Sequence, residues 1–313
     1  MMKIKNETHI EGYLYEHKLE MRESGPKSKN PGTKFIMGTV DIATDNNLTN
    51  IVSVHFSYVT ATTAKGSPNA TYTTLENIVN GKYGSVMANG KDGAVKLRID
   101  SAIALNEFYS DRNGQEELVS VKRNEGGFVH VVTGDLTEDE KLRSTFKCDM
   151  VITNVTRVEA NEDQGTPEKV IVKGAIFDFR KALLPVEFVA TNDKAMDYFE
   201  GLGATKNEPV FTCLWGRQIS ETITTTVTEE SAFGEPSVRE VKRSRKEYLI
   251  TGASPDTHVW DDESTMTAEE LKKAVAEREV YLAGVKARQD EYKASKNAPA
   301  VVAAAPANSA FNF

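Results

Sequence analysis

One order of segments occurs twice along the chain, and this repeat restricts the possible folds more than any other feature. Between Thr8 and about Ser254, apolar and polar residues alternate, and turn residues separate the runs. Alternation of this kind predicts β-strands with one face buried. Each copy reads as strand, strand, strand, helix, strand and, after a long loop, a fifth strand. The segments are 9–19, 34–44, 51–59, 72–79 (helix), 94–105 and 127–132, then 146–158, 169–179, 184–191, 195–202 (helix), 209–220 and 245–250.

The second strand of each copy carries a central glycine, Gly38 or Gly174. A glycine inside a strand usually marks a bulge or a sharp bend, which a small closed barrel needs to turn its corners. In the strand that contains Gly174, alternation places Ile176 on the inner face and Ala175, Phe177 and Phe179 outside. In the third strand of the first copy it places Phe56 inside, on the same face as Tyr58.

A capping box at Thr267 and Glu270 predicts a helix to about residue 292, with Leu271, Val275, Leu282 and Val285 on one stripe. The following Ala- and Pro-rich residues cannot form a core, so we expect a flexible tail. The predicted fold is mostly β, with two tandem five-stranded barrels, an amphipathic helix and a tail. The expected boundaries are 1–135, 142–258, 264–293 and 294–313.

This segment order is that of the OB-fold. The paired segments 34–59 and 169–191, followed by the helix and a tail with a terminal Phe, resemble the tandem OB-fold single-stranded DNA-binding proteins of bacteriophages and mobile elements. The resemblance implies non-catalytic, largely sequence-independent binding and protection of single-stranded DNA during phage DNA replication or recombination. It also implies a location in the bacterial cytoplasm and a possible homo-oligomer. Phe311 and Phe313 would then bind replication or recombination proteins, or assemble subunits.

Binding a single strand requires cations along the backbone path and aromatic faces for the bases. The basic and hairpin candidates are Lys27, Lys29, Lys34, Tyr109, Arg112, Lys122, Arg123, Arg239, Lys242, Arg243, Arg245, Lys246 and Tyr248. The stacking candidates and their neighbouring cations are Phe35, His55, Phe177, Phe179, Arg180, Lys181, Trp215 and Arg217. Two alternatives stay open for them, because charge runs often serve only solubility and about half of the aromatic residues should fill the barrels.

Charge and motifs exclude other classes of function. A net charge of -8 argues against a nonspecific basic coat on DNA, although it permits a local basic groove. The sequence shows no metal-ligand spacing, no P-loop and no nucleophile elbow, so we expect no catalytic residue, metal or cofactor. We interpret Cys148 and Cys213 as core thiols. No apolar run of about 18 residues and no signal peptide occur, so we expect an intracellular protein without a membrane segment.

Two further hypotheses compete with single-strand binding. In the first, the barrels only pack against other subunits of a β-rich phage structural or assembly protein. In the second, the chain inhibits a host nucleic-acid enzyme by binding to it. The sequence does not separate these alternatives.

Overall fold

The computed structural model describes residues 4–112, 115–161, 167–229, 233, 237–258 and 266–297. The side chains of 112, 223–229, 237–243 and 295–297 lie outside this description. The predicted tail from residue 298, with Phe311 and Phe313, also lies outside it. The strands are β1 (Asn6–Glu23), β2 (Lys34–Ala43), β3 (Ile51–Thr60), β4 (Lys96–Arg112), β5 (Gln115–Val131), β6 (Ser144–Val158), β7 (Lys169–Phe177), β8 (Leu183–Ala190), β9 (Val210–Glu229) and β10 (Ser237–Ala253). The helices are α1 (Ala70–Val79), α2 (Val86–Gly93), α3 (Asp193–Gly201) and α4 (Ala268–Asn297), and a 3-10 turn spans Glu140–Leu142.

Two barrels with the same strand connections form the body of the protein. In the first, β1 pairs with both β2 and β4, β2 pairs with β3, β4 pairs with β5, and a parallel contact between β3 and β5 closes the ring. In the second, β6 to β10 repeat every pairing, including the parallel closure between β8 and β10. This is the OB-fold topology, so the predicted fold class is confirmed. The sequence did not predict α2 or the full length of β5 and β10.

The two central glycines allow the barrels to close. A Cβ atom at Gly174 would lie 2.0 Å from the carbonyl oxygen of Val151 on β6, and one at Gly38 would lie 2.0 Å from that of Lys18 on β1. Beside each glycine the strand register shifts by one residue. A side chain at these positions would force apart strands that must touch for the ring to close, as the sequence predicts for a bend.

Each barrel has its own apolar core. Leu14, Val40 and Phe56 lie fully buried in the first, which confirms the interior position of Phe56, and Phe146 and Phe188 fill the second. Both cysteines are buried free thiols. Burial, assisted by the nearby Asp149, raises the pKa of Cys213 to about 11, so this thiol is protonated and unreactive at neutral pH.

The two barrels are joined edge to edge. Residues Asn6 to Ile10 of β1 pair antiparallel with Ser144 to Cys148 of β6, so all ten strands belong to one sheet. Ile103, on β4 of the first barrel, packs in the core of the second. On the other side of the seam, the side chain of Asn50 accepts a hydrogen bond from the amide of Ser220 at 2.6 Å. Side chains of the first barrel therefore contact the second barrel both in its core and at its backbone.

Helix α4 lies across both barrels. Thr267 and Glu270 form the predicted capping box, each side chain accepting from the other's amide at 3.1 Å. The buried face of the helix runs through Ala274, Arg278 and Val285 rather than along the whole predicted stripe, and Val275 is 46% exposed. None of the helices described is long and apolar enough to cross a membrane.

We predict that Gly174→Ala lowers the free energy of unfolding by about 3 kcal/mol, because its methyl group overlaps a backbone carbonyl that cannot move aside. Gly134→Ala is the matched control, since a Cβ there meets no atom within 4 Å. Urea titration of both variants measures the difference. Equal stability of the two would contradict this account of barrel closure.

Candidate nucleic-acid interface

Two aromatic rings lie side by side on the outer surface of the first barrel. Phe35, at the start of β2, and Tyr58, near the end of β3, have ring centroids 4.5 Å apart at an interplanar angle of 37°. Tyr58 is 51% exposed, and its hydroxyl lies 3.2 Å from that of Ser24. An outer surface formed by strands two and three is where OB barrels bind oligonucleotides.

A β-bulge places Tyr58 in this pair. Ile36 pairs with Val59 and Gly38 with Phe56, so Met37 faces two residues of β3. The bulge shifts the alternation by one residue, which turns Tyr58 outward and lets Val59 pack against the core. The sequence interpretation grouped Tyr58 with the interior Phe56, and that grouping is wrong. The glycine at position 38 was the available signal for such a shift.

Three predicted cations precede Phe35 in the sequence. Lys27 and Lys29 are exposed in the loop between β1 and β2, and the exposed Lys34 directly precedes Phe35. Within the described parts of the chain, no carboxylate lies within ion-pair distance of these three lysines. They therefore keep their charge available for an anionic partner.

Other candidates of the first barrel already have protein partners. His55 Nδ1 lies 3.1 Å from a carboxylate oxygen of Glu125, and Arg123 Nε lies 2.7 Å from the same oxygen. Lys122 donates to the backbone oxygen of Glu187 on the second barrel and lies over the rings of Phe188 and Tyr248. Burial lowers the pKa of Lys122. These side chains join strands and barrels, so we do not place them in the interface.

The end of the β4–β5 hairpin lies under α4. The amide of Tyr109 donates to the side chain of Gln289 at 2.8 Å, and Lys286 Nζ lies 5.8 Å from the Tyr109 ring. A ligand that bound to Tyr109, as the sequence predicts, would therefore have to displace residues of α4. Arg112 ends β4, and its side chain lies outside the described residues.

Two aromatic predictions for the second barrel are wrong because those rings are needed for packing. Phe177 is fully buried in a small core with Val151, Phe211, Met266 and Ala274. Alternation in the sequence predicted that this face of β7 is exposed to solvent, but α4 covers it. Tyr248 packs between Phe146 and Phe188 at centroid distances of 5.5 and 5.7 Å.

Phe179 faces outward as predicted. It is 85% exposed in the turn between β7 and β8, with the Arg180 guanidinium 5.0 Å from its ring centroid. Lys181, in the left-handed region at φ 65°, is ion-paired with Glu270 of α4. Phe179 and Arg180 are therefore accessible to a ligand, whereas Lys181 is engaged with the helix.

The basic run on β10 does not form one uniform patch. Arg245 is ion-paired with Glu221 and Glu247, whereas its neighbour Lys246 is exposed on the other side of the strand. The side chains of Arg239, Lys242 and Arg243 lie outside the described residues. Alternation along a strand separates adjacent cations, which the count of charges in the sequence did not consider.

Trp215 and Arg217 lie on β9 at the seam between the barrels. Their partners on β6 in the strand register are Lys147 and Thr145. Both residues line a cleft of about 950 Å³ together with Phe128, Lys141 and Lys147. The structure therefore brings together aromatic and basic residues that are far apart in sequence.

Comparison with known proteins identifies the family of this chain. The profile of the YorF family matches residues 5–288, which include both barrels and most of α4. The chain belongs to the YorF family. The comparison with curated proteins found no match.

Solved structures that resemble this YorF-family protein include two of the single-stranded DNA binding protein from Thermus aquaticus. The wild type has a TM-score of 0.45 and 10% identity, and covers 83% of this chain and 97% of its own. A deletion mutant has a TM-score of 0.46 and 9% identity, and covers 84% of this chain and 100% of its own. Identities this low do not allow residue roles to be transferred.

We predict opposite effects for two phenylalanines on β7 and its following turn. Phe177→Ala should lower the free energy of unfolding by about 3–5 kcal/mol, because it leaves a cavity under α4. Phe179→Ala should leave the free energy of unfolding within about 0.5 kcal/mol, since its ring is exposed. Thermal and urea unfolding distinguish them. A stable Phe177→Ala variant would show that α4 does not cover this face in solution.

Proposed function

We propose that this YorF-family protein binds single-stranded DNA through the outer surface of β2 and β3 of its first barrel. The observation that carries the proposal is the ring pair of half-buried Phe35 and exposed Tyr58 beside the loop of Lys27, Lys29 and Lys34. Bases stack on such rings whatever their identity, and unpaired lysines neutralise the phosphates between them. Binding should therefore tolerate sequence changes and weaken with salt.

The proposal includes no catalytic step. Within the described residues, no group of three or more His, Cys, Asp or Glu side chains could hold a metal ion. The rings and lysines of the surface offer stacking and charge, which bind a strand without cleaving it. The finer role, protection of displaced strands during phage DNA replication or recombination, stays a prediction, as does recruitment of a partner protein through Phe311 and Phe313.

We predict that Phe35→Ala and Tyr58→Ala each weaken binding of a fluorescent oligo-dT by about 1–3 kcal/mol, the usual effect of removing a ring on which a base stacks. Met87→Ala, which removes an exposed apolar side chain from α2, is the control and should bind normally. Fluorescence anisotropy measures all three. Normal binding by both aromatic variants, with folding intact by circular dichroism, would place the strand elsewhere.

Charge gives a separate test. Lys27→Ala combined with Lys29→Ala should flatten the dependence of log K on log salt by about 0.7 for each phosphate that the variant no longer neutralises. Lys194→Ala, on the exposed surface of α3, is the matched control and should leave the slope unchanged. If the wild-type chain binds no oligonucleotide at low salt, the hypothesis of an assembly protein or inhibitor replaces this one.

A further inference from the structure

The seam between the barrels forms a cleft on the outer side of the sheet, which we call the junction cleft. It exists because β1 pairs with β6 in register, with His9 opposite Thr145 and Glu7 opposite Lys147. On β9 the next positions are Arg217 and Trp215. Each barrel contributes one wall, so neither barrel alone could form the site.

Two large aromatic side chains are exposed in the junction cleft. Trp215 is 40% exposed and Phe128 is 70% exposed. The indole of Trp215 packs against the backbone at Gly252, where a Cβ atom would come within 2.3 Å of its Nε1. Lys147 Nζ lies 5.9 Å from the ring centroid. A ring held in this way offers a fixed apolar face at no further cost in side-chain entropy.

The cations of the junction cleft are available, whereas most of its carboxylates are engaged. Lys141, Lys147 and Arg217 have no ion pair within the described chain. Asp100 contacts His9 and Arg98, and the Asp139 side chain accepts from the amide of Lys141 at 2.9 Å. Glu7 is a further acid at the cleft.

Arg217 also has an unused donor. Its Nε atom is buried and has no hydrogen-bond partner among the residues described. The guanidinium of Arg217 meets no carboxylate among the described residues, so its charge is available at the cleft that it lines. Together with the two lysines, this charge favours a ligand that carries phosphate.

We propose that the junction cleft is a second binding site for single-stranded nucleic acid, which takes a base against Trp215 and its phosphates at Lys141, Lys147 and Arg217. The identity of the ligand rests on the function proposed above, but the site is separate from the Phe35–Tyr58 surface. Charge complementarity favours this occupant: flat rings suit bases, and unpaired cations in an acidic protein suit phosphates. A strand that reaches both sites would bind more tightly than either site alone allows.

Tryptophan fluorescence tests this proposal directly, because the chain contains two tryptophans, Trp215 and Trp260. In a Trp260→Phe variant, oligo-dT should quench the emission of Trp215. In the full chain, Trp215→Ala should weaken binding of a long oligo-dT by about 5- to 150-fold, and Trp215→Phe should restore most of the loss. Lys141→Glu with Lys147→Glu should also weaken it, whereas Lys194→Glu should not.

The outcomes separate this inference from the proposed function. Binding of oligo-dT with unchanged Trp215 emission and normal affinity of Trp215→Ala would overturn the junction cleft and leave the first-barrel surface intact. No oligonucleotide binding by the wild type would overturn both. Quenching by a poly-glutamate peptide, but not by oligo-dT, would show a protein-binding site and also overturn the proposal. In the Phe35→Ala variant, quenching should persist at higher oligonucleotide concentration.

Discussion

The antiparallel pairing of β1 with β6 is the interaction on which the arrangement of the molecule depends. Each strand also closes its own barrel, β1 by pairing with β2 and β4 and β6 by pairing with β7 and β9, and the five residue pairs between Asn6–Ile10 and Ser144–Cys148 join the two rings. Backbone hydrogen bonds permit little sliding, because a shift by one residue would turn every side chain to the other face. The relative position of the barrels, and with it the junction cleft, follows from this register.

Helix α4 adds a second connection of a different kind. Arg278 pairs with Glu107 of the first barrel, whose side chain is almost completely buried, and donates to the backbone oxygen of Leu183 on the second at 3.2 Å. A buried carboxylate is tolerated only where such a cation meets it. This single residue of the helix therefore contacts both barrels. The first turns of the helix also pack against the apolar side chains of Phe177 and Met266.

The distribution of charges explains how an acidic protein can offer basic surfaces. Several of the basic residues that the sequence offers as candidates already have partners within the protein. Arg245 pairs with Glu221, Lys181 pairs with Glu270, and Lys122 packs against the second barrel. Among the described residues, lysines without such partners include those of the β1–β2 loop and of the junction cleft. Exposed aromatic rings lie at both places, which is why we assign binding to them.

The sequence by itself determined the fold, because alternation, turn residues and the capping box act over short distances along the chain. The two barrels, the interior position of Phe56, the bulges beside Gly38 and Gly174 and the start of α4 could all be predicted in this way. Only the tertiary structure decided which residues on the outer faces of the strands stay exposed to solvent. Phe177 is covered by a helix about a hundred residues later, a bulge turns Tyr58 outward, and Trp215 shares a cleft with Phe128 and Lys141 only because the barrels join at the seam. Alternation identifies the two faces of a strand, but what covers each face depends on segments distant in sequence.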